Sequence, residues 1–397
     1  MIVRPDYTNA IKPFVDLPIV KILVGVRRCG KTTILEMISE MLKENGVSAD
    51  NIIARNYGTI GITSDYVAVD MYNDIESAVS GKGHCYLLLD ELQEISAWEK
   101  AVNSLLENCD VDIYVTGSNS KLMSSEISTY LSGRYVTIPV YTLSFQEYLN
   151  FKEYDRSEAR TAFDEYILFG GFPLIGISNL DTRSAYQIVE DIYASVVSND
   201  ITKRHQIRNT ELFTRVVKYI IDNVGNAFSA SSIIKYLKKE KRSLTVDAIY
   251  NYLKWLTEAS VIYPCQRYDL QAQTVLKTQE KFYLSDISFK HSLSGFDRKA
   301  LSAILENVVF LEMKRRGYEV FIGKNNTKEI GFLAMRKDER LYVQVCAELP
   351  PQSFCNNLME VKDHYHKYVV CCDPLASGND NGIEIVHIAD FLLRENW

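Results

Sequence analysis

No stretch of this sequence is apolar over the roughly 20 residues that a membrane-crossing helix needs. The run Val20–Val26 comes nearest, but Lys21 interrupts it and Arg27–Arg28 end it. No basic start leads into a long apolar segment, so a secretory leader is not expected either. The eight cysteines (Cys29, Cys85, Cys109, Cys265, Cys346, Cys355, Cys371 and Cys372) contain no C-x-x-C pair. Several stand inside apolar runs, as Cys85 does. Metal knuckles and a disulfide framework are therefore disfavoured, and reduced thiols are expected. His364 and His366 are too isolated to mark a metal site and read as a solvated pair. Positive charge is not in excess overall. A net charge of −7 argues against a chain that coats nucleic acid along its whole length. Internal repeats, low-complexity tracts and long linkers are also lacking. These absences leave a soluble, cytoplasmic protein without membrane contact as the expectation.

The composition that remains is ordinary. With 397 residues, 47% hydrophobic and 24% charged, the chain has material for two or three packed cores. Its 25 tyrosines read as core and surface filling. Residues 18–26 predict a buried strand ending in glycine, and 31–45 a helix with Ile34, Leu35, Ile38, Met41 and Leu42 on one face. Further strands are predicted at Cys85–Leu89, Asp112–Thr116 and Tyr135–Val140. Strands alternating with helices define an α/β parallel sheet, whose functional groups belong at the carboxyl ends of the strands.

The chemistry gathers at those ends. Gly25-Val26-Arg27-Arg28-Cys29-Gly30-Lys31-Thr32 matches G-x-x-x-x-G-K-[ST] between a predicted strand and a predicted helix. A triphosphate needs several donors converging on it. Glycines let the backbone N–H groups turn inward, and the helix N-terminus adds a favourable dipole. Lys31 is expected on the β- and γ-phosphates, Thr32 on Mg²⁺, and Thr33 within the same binding segment. Leu87-Leu88-Leu89-Asp90-Glu91 supplies a second half, with Asp90 directed to the metal and Glu91 to the attacking water. Asn119 follows the third predicted strand, where an amide reaches the γ-phosphate or the lytic water, although Asn is also a common turn residue. Arg134 precedes the next strand, either to stabilise transition-state charge, in cis or in trans, or to form a surface ion pair.

These segments, with Leu-Asp90-Glu91-Leu-Gln, Thr116-Gly-Ser-Asn-Ser, Tyr130-Leu-Ser-Gly-Arg134 and Leu143-Ser-Phe-Gln-Glu-Tyr, resemble a widespread prokaryotic family. Its members are AAA-type ATPases with a C-terminal domain of unknown function. The resemblance runs over essentially the whole chain. It implies ATP and Mg²⁺ as cofactors, hydrolysis as the reaction, Asn119 as the sensor residue and Arg134 as the arginine finger. Gly170-Gly171-Phe172-Pro173 resembles the Gly-x-Pro element that follows the ATPase core in related signalling ATPases.

Four segments are expected: the ATPase domain over 1–150, a helical part over 151–205, a winged-helix-like part over 206–289, and a small α+β domain over 290–397. Residues 201–284 carry 14 Lys and Arg against 7 Asp and Glu, an excess of +7 set against −14 elsewhere. Two predicted helices there, Ser229–Leu237 and Thr245–Leu256, precede a strand pair, an order that resembles a winged helix-turn-helix. Lys235, Lys238, Lys239, Lys241 and Arg242 would meet DNA phosphates if its second helix entered a major groove; the alternative is a domain that packs on the core and reports nucleotide state. The last segment resembles a degenerate PD-(D/E)xK nuclease. Glu306 and Glu329 remain, but Gly331, Gln344 and Cys346 stand where metal-binding and water-polarising groups are required, so nuclease chemistry is not expected. The reading is a nucleotide-driven ATPase switch, with assembly into a homo-oligomer left open, and an ATP-gated DNA-binding protein is the alternative.

Overall fold

Strands buried on both faces read as largely apolar runs, and two such runs lie within the sheet of the first unit of the chain. All six residues of Val20–Gly25 (β1) are buried, as are all six of Cys85–Asp90 (β3). The computed structural model describes every residue except 1, 60–64, 119–129, 132, 208, 240 and 349–351. The described chain divides into two compact units, Met1–Val140 with Glu258–Ser260, and Tyr141–Thr257 with Val261–Trp397.

In the first unit β1 and β3 join Ile52–Asn56 (β2), Val111–Ser118 (β4) and Tyr135–Pro139 (β5). The order is β2-β3-β4-β1-β5, and every pairing is parallel. Among the described residues the sheet is accompanied by the helices Pro5–Ile11 (α1), Lys31–Glu44 (α2), Ala68–Val79 (α3) and Trp98–Asn108 (α4). Met71 and Ile75 of α3 and Val102 and Leu105 of α4 share one core with Ile22, Leu87, Leu89 and Ile113 of the strands. Lys21, which breaks the apolar run of β1, is itself fully buried and ion-paired with Asp112 of β4. Tyr114 and the Asp16 backbone N–H also donate to that carboxylate, at 2.7 and 3.0 Å. The pair therefore satisfies a buried charge at the amino edge of the sheet, away from the strand ends that carry the motifs.

The second unit opens with the helices Phe145–Lys152 (α5), Ala159–Phe169 (α6) and Thr182–Ser195 (α7), with the single turn Pro173–Gly176 between the last two. Ser144 and Glu147 cap α5 reciprocally, which fixes its start. Thr210–Asp222 (α8), Ala230–Lys239 (α9) and Val246–Glu258 (α10) follow. Then comes a mixed eight-stranded sheet. Its strands are Ile262–Asp269 (β6), Thr274–Leu284 (β7), Glu319–Asn325 (β8), Lys328–Arg336 (β9), Glu339–Cys346 (β10), His366–Cys371 (β11), Ser377–Asp380 (β12) and Ile383–His387 (β13). The order is β12-β13-β11-β10-β9-β8-β6-β7. The hairpin β6–β7 thus belongs to the same sheet as the C-terminal strands, through parallel pairing of Arg267–Asp269 with Ile322–Lys324. The sheet runs across the segment boundary expected at residue 289. Leu301–Arg315 (α11) packs against β8 and β10.

The Gly170-Gly171-Phe172-Pro173 element has a local structural explanation within this unit. A Cβ on Gly170 would stand 2.1 Å from Asp286 Oδ1, and its φ of +77° lies where side chains are strained. Gly171 N–H donates to Asp286 Oδ2 at 2.8 Å, and the Ser288 N–H and hydroxyl hold Oδ1. Burial pushes the Asp286 carboxyl up, against the pull of these donors.

Candidate nucleotide-binding site

The loop between β1 and α2 is shaped by contacts that only certain residues permit. A Cβ on Gly25 would lie 2.1 Å from the Val140 carbonyl oxygen, so the strand leaves the sheet through a gap that fits glycine alone. Arg28 and Gly30 both take left-handed backbone conformations, with φ of 65° and 102°. The Gly30 carbonyl then accepts from Ile34 N at 3.0 Å and starts α2. Lys31, almost fully buried, is the first residue of that helix. Its ammonium folds back over the loop to the carbonyl oxygens of Gly25 and Val26, at 2.9 and 3.1 Å. Thr32 and Thr33 follow on the first helical turn.

Asp90 ends β3 beside this loop and is 4% exposed. Thr32 Oγ1 donates to its Oδ2 at 2.9 Å, as does Asn56 Nδ2 at 2.9 Å, and Thr116 Oγ1 donates to Oδ1. The arrangement follows from topology. Asn56 is the register partner of Asp90 on β2, and β4, which carries Thr116, lies between β1 and β3. Three donors on three elements thus orient one carboxylate. The next residue, Glu91, leaves the strand with φ of 53°. Its N–H donates to Thr116 Oγ1 at 3.2 Å, and its carboxylate accepts from Gln93 Nε2.

The donor set suits a small hard cation. Mg²⁺ takes oxygen ligands at 2.0–2.1 Å in octahedral geometry, so neighbouring ligands stand about 2.9 Å apart. The Thr32 hydroxyl and the Asp90 carboxylate have that separation. Among the described residues no group of three or more His, Cys, Asp or Glu side chains is placed to hold a metal.

Lys31, Thr32, Asp90 and Glu91 thus lie at the carboxyl ends of β1 and β3, with Thr32 hydrogen-bonded to Asp90. Asn119 lies outside the described residues. Arg134 is not brought to the P-loop of its own chain. Its carbonyl accepts from Val20 N at 2.9 Å, which places it at the amino edge of the sheet. The six-residue strand β1 separates that edge from the loop by roughly 17 Å. The Arg134 guanidinium meets Asn103 Oδ1 at 2.6 Å and Glu107 Oε1 at 2.9 Å on α4. The bond from Arg134 holds the Glu107 carboxyl below its ordinary range. Sequence reasoning did not assign roles to Asn56, Thr116, Gln93 or Arg4. Thr116 stands in a quoted motif, but only strand order reveals that it faces Asp90.

In the second unit, Lys235, Lys238, Lys239 and Lys241 are exposed on α9 and the turn after it. Arg242 instead pairs with Glu211 at 2.7 Å. Glu306 and Glu329 approach one another across Lys281, and Gly331 packs against Gln344, whose Oε1 would stand 2.9 Å from an added Cβ.

A parallel sheet with a glycine-rich loop between β1 and α2, and an acidic pair at the end of a strand one place removed from β1, defines a nucleotide-binding P-loop ATPase. Residues 18–149 match the family model described as an AAA domain, and residues 160–300 match a domain of unknown function. Residues 18–149 are thus an AAA-type P-loop ATPase domain, and the chain as a whole belongs to one family with the following relative. It is 34% identical to an uncharacterized protein of Haemophilus influenzae, over 99% of each chain. It is 31% identical to an uncharacterized protein of Methanocaldococcus jannaschii, over 83% of this chain and 75% of that one. Among solved structures it is similar to the Walker-type ATPase of Pyrococcus abyssi, at 14% identity and a TM-score of 0.49, covering 74% of this chain and 96% of that one. Among the described residues no helix is long and apolar enough to cross a membrane.

Proposed function

We propose that this protein is a Mg²⁺-dependent ATPase that works as a nucleotide-driven switch. The observation that carries the reading is the juxtaposition of Lys31, Thr32, Asp90 and Glu91 at one edge of the parallel sheet. Gly25–Thr33 wrap the phosphates, with backbone N–H groups and the α2 N-terminus supplying positive potential. Lys31 exchanges its loop carbonyls for the β- and γ-phosphates. Thr32 and Asp90 would hold Mg²⁺, which supplies neutralisation of phosphate charge. Glu91 orients the attacking water and accepts its proton, and Gln93 fixes the carboxylate for that task. Asn119, next in sequence after β4 and outside the described residues, keeps the sensor role that the family resemblance implies. Arg134 serves a neighbouring protomer, since its own loop lies at the opposite edge of the sheet.

A second reading adds DNA to the first. Helices α8 to α10 followed by the β6–β7 hairpin have the order of a winged helix. The isolated antiparallel bridge between Ala227 and Lys281 supplies the short third strand of such a fold. The exposed lysines of α9 and its following turn favour phosphate contacts. The acidic Asp247 at the start of α10 and the Arg242–Glu211 pair weigh against an extended basic face.

ATP turnover by wild type and Glu91→Gln, each with and without duplex DNA, tests both readings. Glu91→Gln is expected to retain ATP binding and to lose about 10²–10⁴-fold in turnover, the scale of general-base catalysis. Equal turnover by the two proteins would move the base elsewhere. Stimulation of wild type by DNA would support the second reading.

A further inference from the structure

Arg4 is the most buried arginine of the first unit, at 2% exposure, and it precedes the P-loop by more than twenty residues. It stands at the start of α1, where Pro5 opens the helix, and α1 lies against α2. Its Nη1 donates to the carbonyl oxygen of Cys29 at 2.9 Å. Its Nη2 donates to the Tyr7 hydroxyl at 3.3 Å, and its Cζ lies 4.6 Å from the centre of the Tyr7 ring. Tyr7 is itself 6% exposed and holds the guanidinium by stacking as well as by its hydroxyl.

We propose that Arg4 is a positioning residue that sets the phosphate cradle by holding one peptide unit of the P-loop from behind. This rests on the ATPase reading above. The Cys29 carbonyl and the Gly30 N–H belong to the same planar trans peptide, so they point in opposite directions. Anchoring the carbonyl outward on Arg4 turns the Gly30 N–H into the loop, where a β-phosphate is bound. The constraint falls where the backbone is otherwise least restricted, because Gly30 has no Cβ and takes φ of 102°. A charged donor suits the task. A charge-assisted hydrogen bond is stronger than a neutral one, and a buried guanidinium stacked on Tyr7 has few alternative rotamers. Arg4 touches no reacting atom in this scheme; it acts through the Gly30 N–H.

The test compares ADP, which carries a β-phosphate, with AMP, which lacks one. Both compete with a fluorescent ADP analogue on full-length wild type, Arg4→Met, Arg4→Lys and Lys31→Ala. For Arg4→Met the ADP dissociation constant should rise about tenfold to a hundredfold, while that for AMP stays unchanged. Arg4→Lys, which keeps one charged donor, should recover part of the loss. At saturating ATP, Arg4→Met should show a raised KM with kcat largely retained. Should Arg4→Met not fold, Arg4→Lys and Tyr7→Phe carry the test, each with a smaller rise for ADP alone. ADP affinity equal to wild type in the folded variants overturns the proposal, as does an equal loss for ADP and AMP. Failure of wild type itself to bind ADP or ATP would instead overturn the ATPase reading.

Discussion

Lys281 on β7 reaches Glu329 on β9 at 2.7 Å, with its ammonium also 3.6 Å from Glu306 on α11. Burial alone would depress this lysine, but the two carboxylates override it and hold the ammonium above its ordinary value. Tyr283 adds a hydrogen bond to Glu306 at 3.0 Å. The two acids that survive from a nuclease-like pattern thus have a cation of the chain's own between them. Supercoiled plasmid incubated with Mg²⁺ or Mn²⁺ is expected to stay intact. Lys281→Met should destabilise the protein by about 1–3 kcal/mol, below the scale of a fully buried pair because Glu329 is 44% exposed. Plasmid cleavage that disappears in Glu306→Ala would contradict this account, as would an unchanged melting curve for Lys281→Met.

Lys31→Ala should abolish measurable ATP binding. The ammonium is the one side-chain cation that the loop holds across its own mouth, on the carbonyls of Gly25 and Val26. Titration calorimetry is the direct measurement, and unchanged affinity would remove the site assignment.

Arg134 gives a prediction about assembly. It stands at the sheet edge opposite its own P-loop and is 40% exposed, paired with Glu107. Action in trans requires specific ATPase activity to rise with protein concentration. Arg134→Ala should lower turnover while leaving ATP binding largely intact. Mixing Arg134→Ala with Lys31→Ala should restore part of the activity, because one protomer keeps the pocket and the other the arginine. A fully active monomer, seen by light scattering with ATP present, would dispose of the trans role and leave the Glu107 ion pair as the residue's whole purpose.

The nucleotide-binding segment of the chain was legible because its motif residues are tied to strand ends. Apolar runs, the first interrupted by Lys21, locate β1 and β3, and the residues after them must lie at the carboxyl edge of a parallel sheet. Asn56 was not legible. Its strand, Ile52–Asn56, is short and lies at the edge of the sheet, with only Ile53 buried, so no apolar run announces it. Thr116 required the strand order, since spacing alone does not place β4 between β1 and β3. Arg4 was hidden for another reason: its partner is a backbone carbonyl, which leaves no trace in side-chain pattern. In the second unit α9 and α10 correspond to the helices predicted at Ser229–Leu237 and Thr245–Leu256. The pairing of β6 with β8 was not legible, because it joins strands some fifty residues apart.

That pairing decides where the chain can be cut. Asn307, fully buried on α11, brackets Leu284 of β7, accepting from its N–H at 2.7 Å and donating to its carbonyl at 2.9 Å. Lys324 meets Asp269 at 3.1 Å beside the β6–β8 ladder. Severing the polypeptide near residue 289 would strip these partners from the hairpin and leave Arg267–Asp269 as an open strand edge, a surface that invites aggregation. The basic helices and the C-terminal strands consequently belong to one compact unit, so a fragment made to isolate either should keep both sides of the shared sheet.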